Sequence, residues 1–380
     1  MVYGLLGLLK MPIVADYNAS TTTGVYVSVI QHSITEDRSL DVIIMRTTLS
    51  SLDGLPSWAP NWSASSICDF SQVGDLIDGL NRIPEPLVLR YVDSDLMRIC
   101  LKVDQWPTLS SDGTVLDIKP FNSSGGRQLS TNEVVINRDS TTLQVSGIFI
   151  GTICDVGGVL DREEASGEIF FHHVFREWEQ VFQRQYGNCQ MEVCGLSVTV
   201  ADALSRLYNL LITYLAEIGV DFSSETWKLE QFQKYKDDHW HTGLMPRNFR
   251  DSRSVEAFVR TLLADRVLEF QRISAAHFEE FWADPLPNNS TWPRIVFSMT
   301  FATYRRFFVT CEGNMGLAPM RSRENDIICV IYGCSVPVVL REEEGSFTFI
   351  GECFLHGFMD GEAIEMQRKS NLKEQKWTIH

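Results

Sequence analysis

Glu352, His356 and Asp360 combine, at a spacing of four residues, the side-chain types that bind metals or exchange protons. On a helix this spacing would align all three on one face, and carboxylates and imidazoles are ligands of zinc. The surrounding pattern is instead a strand that runs into a turn, because Gly357 and Gly361 oppose a helix. We therefore expect a structural cluster with satisfied charges here, and no metal site.

Asp237, His239 and His241 form the densest polar group of the chain. Alternation would place them on one face of a strand, where a metal could support hydrolysis. The group lies between two predicted helices, which favours a solvated loop. Metal-dependent hydrolysis is therefore only our third hypothesis, and no metal is predicted.

His172 is the residue of the chain that we single out for possible proton chemistry. It precedes His173 in a segment rich in aromatic residues, so one of the two should face the core and the other solvent. We predict His172 as a possible hydrogen-bond donor or general acid–base group at a binding site.

The motifs of cofactor-dependent chemistry are missing from the sequence. The glycines at 147, 151, 157 and 158 do not form a dinucleotide-binding fingerprint, and no phosphate-binding loop is present. Neither a Gly-x-Ser-x-Gly elbow nor a His-Glu-x-x-His motif occurs. If the chain is an enzyme, we expect it to need no cofactor.

Large aromatic residues recur every three or four positions after residue 170, which predicts an amphipathic helix. Such a face usually packs into a core, but it can also line an apolar pocket for an apolar small molecule. The predicted lining residues are Phe171, Phe175, Trp178, Phe182, Trp282 and Trp292.

The element pattern that must position these side chains predicts an α+β fold. Antiparallel strands from both ends of the chain would form one sheet system or a small barrel, with a helical insertion packed against it. We expect a single composite domain made of a helical entry with a Trp/Pro loop (1–63), strands (87–157), a helical subdomain (168–283), C-terminal strands (305–363) and a tail (364–380).

Local signals set several of these boundaries. A helix is expected over 21–45, and Thr199 and Asp202 resemble a capping box that opens another. A third helix should begin at Ser254 and continue to the prolines after 284. The alternating strand that begins at residue 143 should break at the glycine pair 157–158.

Four C-terminal motifs resemble those of fungal heterokaryon-incompatibility (HET domain) proteins. They lie at 306–310, 313–319, 325–330 and 340–363. Two N-terminal stretches, 2–8 and 55–63, resemble the segments that follow the HET domain in that family. The resemblance implies that this chain corresponds to the C-terminal half of such a protein and lacks the N-terminal HET domain.

Two departures from the family pattern lie in the C-terminal motifs. Ala318 stands where the family usually has a second glycine, and Asn325 stands where a glycine usually precedes Asp326. Since asparagine tolerates positive φ, we expect that turn to persist. Stand-alone relatives of this region resemble proteins encoded in fungal secondary-metabolite clusters, some of which are implied to act as cyclases.

The acidic composition of the chain makes some classes of binding partner unfavourable. The formal net charge of −16 and the pI near 5.0 disfavour nucleic acids and anionic lipids. Arg305–Arg306 and 321–323 are the only candidate basic patches. No stretch approaches the roughly 20 apolar residues of a membrane span, so we expect no membrane insertion.

Nine scattered cysteines without a Cys-x-x-Cys pair indicate reduced, mostly buried thiols and a cytoplasmic protein. The sequence leaves the oligomeric state open.

Two function classes remain. The first is a cofactor-independent cyclase or isomerase of fungal specialised metabolism, which would template an intramolecular cyclisation of a terpenoid or polyketide-like substrate, such as a Diels–Alder cycloaddition. The second is a non-enzymatic regulatory or protein-recognition module derived from an incompatibility protein. A closed apolar cavity would favour the first, and an exposed apolar patch the second.

Overall fold

A computed structural model gives the fold for most of the chain. It describes residues 22–44, 54–60, 121–127, 129, 134–137, 141–160, 168–207, 253–265, 272–282, 302, 304–370 and 373–380. Among these residues, no helix is long and apolar enough to cross a membrane.

Six helices with defined bounds are present in the described residues, and residues 200–207 are also helical. The six are α1 (Thr22–Asp37), α2 (Asp41–Ile44), α3 (Glu168–Tyr186), α4 (Arg253–Leu262), α5 (Ala275–Trp282) and α6 (Glu362–Ser370).

The strands fall into one large sheet system and a separate hairpin. The large system contains β1 (Val135–Ile136), β2 (Leu143–Val159), β5 (Arg305–Thr310), β6 (Met315–Pro319), β7 (Ile327–Ile331), β8 (Val338–Glu343), β9 (Ser346–Glu352), β10 (Phe354–Leu355) and β11 (Gln375–Ile379). The hairpin pairs β3 (Gln190–Val193) with β4 (Leu196–Thr199).

Five strands of the large system close into a barrel in the order β2-β11-β9-β8-β7, because β7 pairs back onto β2. All of these pairings are antiparallel except that of β11 with β9, which is parallel. Closure leaves this ring without free edges, a common solution to the exposure of unpaired backbone groups.

Strand β2 belongs to two sheets at once. Its first part pairs with β11 and β7, and its last part pairs with β5, which continues to β6 and β10. Register shifts along β2 accompany this change of partner. Bulges bend a strand and increase its twist, which allows one long strand to serve both sheets.

Strand alternation divides the core into two clusters. Leu143, Cys329, Leu340, Phe349 and Trp377, one from each barrel strand, belong to a cluster that continues to α3, α4 and α5. The alternate side chains of the same strands form a second cluster with α6, including Ile148, Val330, Val339 and Ile364.

The structure confirms the predicted α+β fold with strands from both ends of the chain. It also confirms the capping box, since Thr199 and Asp202 exchange hydrogen bonds of 2.9 and 3.2 Å between side chain and backbone N–H. Asn325 has the expected positive φ of 71°. The loop 54–60 packs as expected, with Trp58 buried.

Several expectations about boundaries are wrong. The helix expected over 21–45 is interrupted at Arg38, which has a positive φ. The helix expected from Ser254 to the prolines after 284 is divided into α4 and α5, because Ala264 and Asp265 end α4. The hairpin β3–β4 interrupts the predicted helical subdomain, and β2 continues through the glycines at 157 and 158. The predicted tail forms α6 and the barrel strand β11. The strands predicted within 87–118 lie outside the described residues.

Candidate functional site

Helix α3 places its aromatic face against β2 and β5. Phe175, Trp178 and Phe182 are all buried, and the ring centroid of Trp178 lies 5.8 Å from Phe175 and 6.3 Å from Phe307. The indole N–H of Trp178 donates to the carbonyl of Gly158 at 2.8 Å. Every polar and apolar part of the Trp178 side chain therefore has a protein partner.

Three other predicted residues of this group lie wholly or partly outside the described residues. Phe171 and His172 lie on α3, but their side chains are outside the described residues. Neighbouring His173 is exposed. Trp292 also lies outside the described residues, so the predicted constellation can be compared only through Phe175, Trp178, Phe182 and Trp282.

Glu179 is a buried carboxyl on α3, with 5% of its surface exposed. Gln183 donates a 2.6 Å hydrogen bond to one of its oxygens. Burial raises the pKa of Glu179 to about 7, against the opposing effect of Arg176. A carboxyl that is half protonated near neutral pH can donate or accept a proton.

Helix α5 carries a second aromatic group, made of Phe278, Phe281 and Trp282. Ser274 caps the helix by accepting a 3.2 Å hydrogen bond from the backbone N–H of His277. All three aromatic side chains are buried, and Trp282 packs edge-to-face against Phe281 at 4.9 Å and Phe278 at 6.4 Å. We call this group the α5 aromatic wall.

Trp282 differs from Trp178 in its polar atom. Its side chain is 3% exposed, yet its indole N–H has no hydrogen-bond partner among the described residues. A buried donor without an acceptor costs about 1–3 kcal/mol. Such an atom therefore requires an explanation, and a ligand that accepts the hydrogen bond is one.

A network of charged residues adjoins the α5 aromatic wall. Arg260 on α4 lies 5.7 Å from the Phe278 ring and bonds Glu256 at 2.8 Å and Asp265 at 2.7 Å. Asp265 also pairs with Arg272. Arg272 in turn pairs with Asp360 of the barrel and lies 4.4 Å from the ring of Phe121. We call these charged residues, together with His356, the α4–barrel seam.

The backbone at the seam is strained. Ala264 and Asp265 have φ values of 47° and 52°, in the left-handed region that non-glycine residues rarely adopt. The hydrogen bonds from Asp265 N–H to the Arg260 carbonyl (2.6 Å) and from Ile273 N–H to the Asp265 carbonyl (3.2 Å) hold this conformation. Strained residues of this kind concentrate at functional sites.

His356 interacts electrostatically with Asp265, Arg260 and Glu256 of the seam. Burial lowers its pKa below the usual value near 6.5, although Asp265 opposes the shift. The imidazole is therefore neutral at pH 7. In this state one ring nitrogen can accept a hydrogen bond while the other donates one.

The outer members of the Glu352–His356–Asp360 group are ion-paired, as the sequence interpretation expects. Arg305 contacts Glu352 at 2.6 Å and donates to its carbonyl at 3.0 Å, and both side chains are buried. Asp360 is held by Arg272. No group of three or more potential metal ligands occurs among the described residues. Residues 237, 239 and 241 lie outside them.

Arg305–Arg306, one of the two candidate basic patches, is occupied by contacts within the protein. Arg305 forms a buried ion pair with Glu352. Arg306 donates hydrogen bonds to the carbonyls of Gly157 and Ser322 at 2.7 and 2.8 Å. Arg321 and Arg323 are exposed. Arg305 and Arg306 therefore contribute to the fold.

Sequence reasoning missed Arg260, Asp265, Arg272 and Glu179. Glu179 carried a readable signal, because it lies four residues after Phe175 and three before Phe182, on the buried face of the helix. The seam residues carried none. They approach one another only because α4 ends early and the barrel turn lies beside it.

The α5 aromatic wall and the seam bring buried aromatic rings, charged groups and one indole donor close together. The α5 aromatic wall offers apolar surface and a buried donor, and the seam beside it offers charged groups and a neutral imidazole. Directed donors in an apolar setting stabilise developing charge on an oxygen atom.

Comparison with known proteins identifies one region. No curated protein and no solved structure matches the chain. Residues 294–373 match the Het-6 beta-barrel domain, which covers β5 to β10 and α6 but leaves out the barrel strands β2 and β11. The C-terminal region of this chain is therefore similar to a Het-6 beta-barrel domain, which is consistent with the C-terminal region of a HET-family protein.

Proposed function

We propose that this protein is a cofactor-independent cyclase or isomerase that folds a flexible apolar substrate into a reactive shape. The substrate class is a terpenoid or polyketide-like chain of fungal specialised metabolism. An intramolecular cycloaddition of Diels–Alder type is the most specific form of the proposal.

The observation that supports the proposal is the indole N–H of Trp282 in the α5 aromatic wall, which has no acceptor in the described ranges of the chain. A donor buried among phenylalanines suits a substrate that is mostly hydrocarbon but carries one carbonyl oxygen. Bound in this way, the oxygen would satisfy the donor while the remainder of the substrate contacts Phe278 and Phe281.

Such a contact would accelerate a cycloaddition in two ways. Holding the reacting ends of one chain together replaces a rare conformation with a bound one, which lowers the entropic part of the barrier. A hydrogen bond to the carbonyl withdraws electron density from a conjugated alkene. The bond strengthens as charge accumulates on the oxygen in the transition state.

The seam supports the same chemistry from one side. Arg260 packs against Phe278, so the ion-paired network lies beside the aromatic wall. The neutral imidazole of His356 would accept or donate one hydrogen bond to a polar group of the substrate. No step of the proposed reaction needs a metal or a redox partner.

The recognition-module alternative receives less support from the described residues. Their exposed large hydrophobic side chains are Val135 on β1, Leu196 on β4 and Met366 on α6. Single exposed hydrophobics of this kind are normal on protein surfaces and do not mark an interface.

A metabolite assay tests the proposal without knowledge of the substrate. The purified full chain is incubated with an extract from the producing organism that lacks this gene, and the products are separated by chromatography with mass detection. We expect one compound to decrease while an isomer of the same mass accumulates. Heat-denatured protein controls for spontaneous cyclisation.

Two variants make the assay specific. Trp282→Phe removes only the donor and should reduce the rate of product formation by about 10–100-fold. His173→Ala, at an exposed position on α3, should leave the rate unchanged. If no isomer forms and the chain instead retains another protein from the same extract, the recognition-module alternative replaces the proposal.

A further inference from the structure

Two cysteines from distant parts of the sequence meet on one face of the sheet. Cys154 lies in β2, and Cys311 directly follows β5. The pairing of Ile153 with Thr310, and a 2.8 Å hydrogen bond from Cys311 N–H to the Thr152 carbonyl, fix their relative positions. We refer to them as the β2–β5 dithiol.

The β-bulge in β2 brings the two thiols together. The register shifts between Ile153 and Asp155, so Cys154 is the extra residue opposite Val309, and its thiol donates to the Val309 carbonyl at 3.5 Å. Cys311 lies opposite Thr152, two residues before Cys154 in β2, so the two cysteines are diagonal neighbours across the strand pair. The two thiols are near enough for Cys311 to raise the pKa of Cys154.

The surroundings of the dithiol leave it open to reagents. Cys311 is exposed, Cys154 is half-buried, and both are free thiols. The C-terminal end of α3 lies beside them, because Tyr186 donates to the Gly313 carbonyl at 2.8 Å and Arg184 bonds Asp155 at 2.8 Å. A bridge at this point would join β2 to β5 next to the contact with α3.

We propose that Cys154 and Cys311 form a reversible disulfide, a modification site for low-molecular-weight disulfides such as glutathione disulfide. The thiolate of Cys311, the more exposed of the two, attacks one sulfur of glutathione disulfide. This forms a mixed disulfide and releases one glutathione thiolate. Cys154 then attacks the Cys311 sulfur and releases the second.

The reaction is balanced by its oxidant. Two protein thiols are oxidised to one disulfide, one glutathione disulfide is reduced to two glutathione molecules, and the two thiol protons pass to the released thiolates. Burial, followed by the neighbouring Cys311 thiol, raises the pKa of Cys154 to about 11. The second step should therefore be slow at neutral pH and faster in alkaline buffer.

Redox titration of the purified full chain tests this site. Samples are equilibrated at several ratios of reduced to oxidised glutathione, free thiols are alkylated, and the modified cysteines are located by mass spectrometry. We expect Cys154 and Cys311 to lose alkylation together, to be recovered in one disulfide-linked peptide, and to regain alkylation with dithiothreitol. Cys194→Ser removes another exposed cysteine and should not change this result.

Thermal unfolding supplies a second readout. Because the bridge would close a loop of roughly 160 residues, oxidation should raise Tm on the order of 5–10 °C. Cys154→Ser and Cys311→Ser should each abolish the shift. The proposal is overturned if wild-type Cys311 retains glutathione without bridging to Cys154, if it pairs with another cysteine, or if the chains cross-link to one another.

Discussion

Trp178 and Trp282 are both buried in aromatic surroundings, but they differ in the hydrogen bonding of the indole N–H. Trp178 packs between α3 and the sheet, and its indole N–H is bonded to Gly158. Trp282 packs within the α5 aromatic wall, and its N–H has no acceptor among the described residues. The two tryptophans are both buried, so they differ mainly in the hydrogen bond of the indole N–H.

This comparison separates a structural aromatic cluster from a candidate binding surface. The Trp178 side has the character of a core, with tilted rings and a satisfied donor. The Trp282 side adjoins a strained turn and a charged seam. Proteins keep unsatisfied donors and strained residues mainly where function requires them.

The largest expected effect is the loss of Trp178. Trp178→Ala should lower the free energy of unfolding by about 3–5 kcal/mol, because a fully buried indole is replaced by a cavity. Urea unfolding followed by circular dichroism measures this change. A loss below about 1 kcal/mol would contradict the core role assigned to this side.

Glu179 is the exception to the closed character of α3, and it makes stability depend on pH. Its pKa is raised from 4.5 to about 7 in the folded state, so the unfolded chain releases this proton first. The contribution of Glu179 to stability therefore falls as pH rises from about 4.5 to about 7, by on the order of 3 kcal/mol. Glu179→Gln should be more stable than wild type at pH 8 and equal to it at pH 4.

Urea titrations at both pH values measure this difference. Glu177→Gln, at an exposed position on the same helix, is the matched control and should change stability by less than about 0.5 kcal/mol at either pH. Equal behaviour of the two variants would show that Glu179 is hydrated in solution.

Alanine substitutions at the adjacent glycines of β2, Gly157 and Gly158, test how tightly Trp178 is packed. A Cβ atom at Gly157 would lie 2.3 Å from the Trp178 ring, whereas at Gly158 it would meet the carboxylate of exposed Glu177 at 2.5 Å. Gly157→Ala should cost about 1–3 kcal/mol because the buried ring must shift. Gly158→Ala should cost less, since Glu177 can swing away. Similar losses of Tm in the two variants would argue against a tightly packed Trp178.

Much of the fold was readable from local patterns, because those patterns reflect local physics. The aromatic periodicity of α3, the Thr199–Asp202 cap and the positive φ of Asn325 each depend on a few neighbouring residues. The end of α4 and the interruption within 21–45 were not readable, since Arg38, Ala264 and Asp265 adopt left-handed conformations without a glycine signal.

The barrel closure and the candidate site needed the tertiary structure. Residues 375–379 form β11 only by pairing with β2 and β9, which lie far away in sequence. The predicted pocket residues were grouped by type, and the sequence could not show which tryptophan would have no acceptor among the residues that the structure describes. That distinction depends on the carbonyl of Gly158, which reaches Trp178 and has no counterpart at Trp282 within the part of the chain that the structure describes.

The most direct test of this account compares Trp178→Phe with Trp282→Phe in equilibrium unfolding. Each change removes an indole N–H and keeps an aromatic ring. Trp178→Phe should lose about 1–3 kcal/mol because it also leaves the Gly158 carbonyl unpaired, whereas Trp282→Phe should stay within about 1 kcal/mol of wild type. Equal and large losses in both variants would show that the Trp282 donor is already satisfied within the protein, and would contradict its assignment to a ligand.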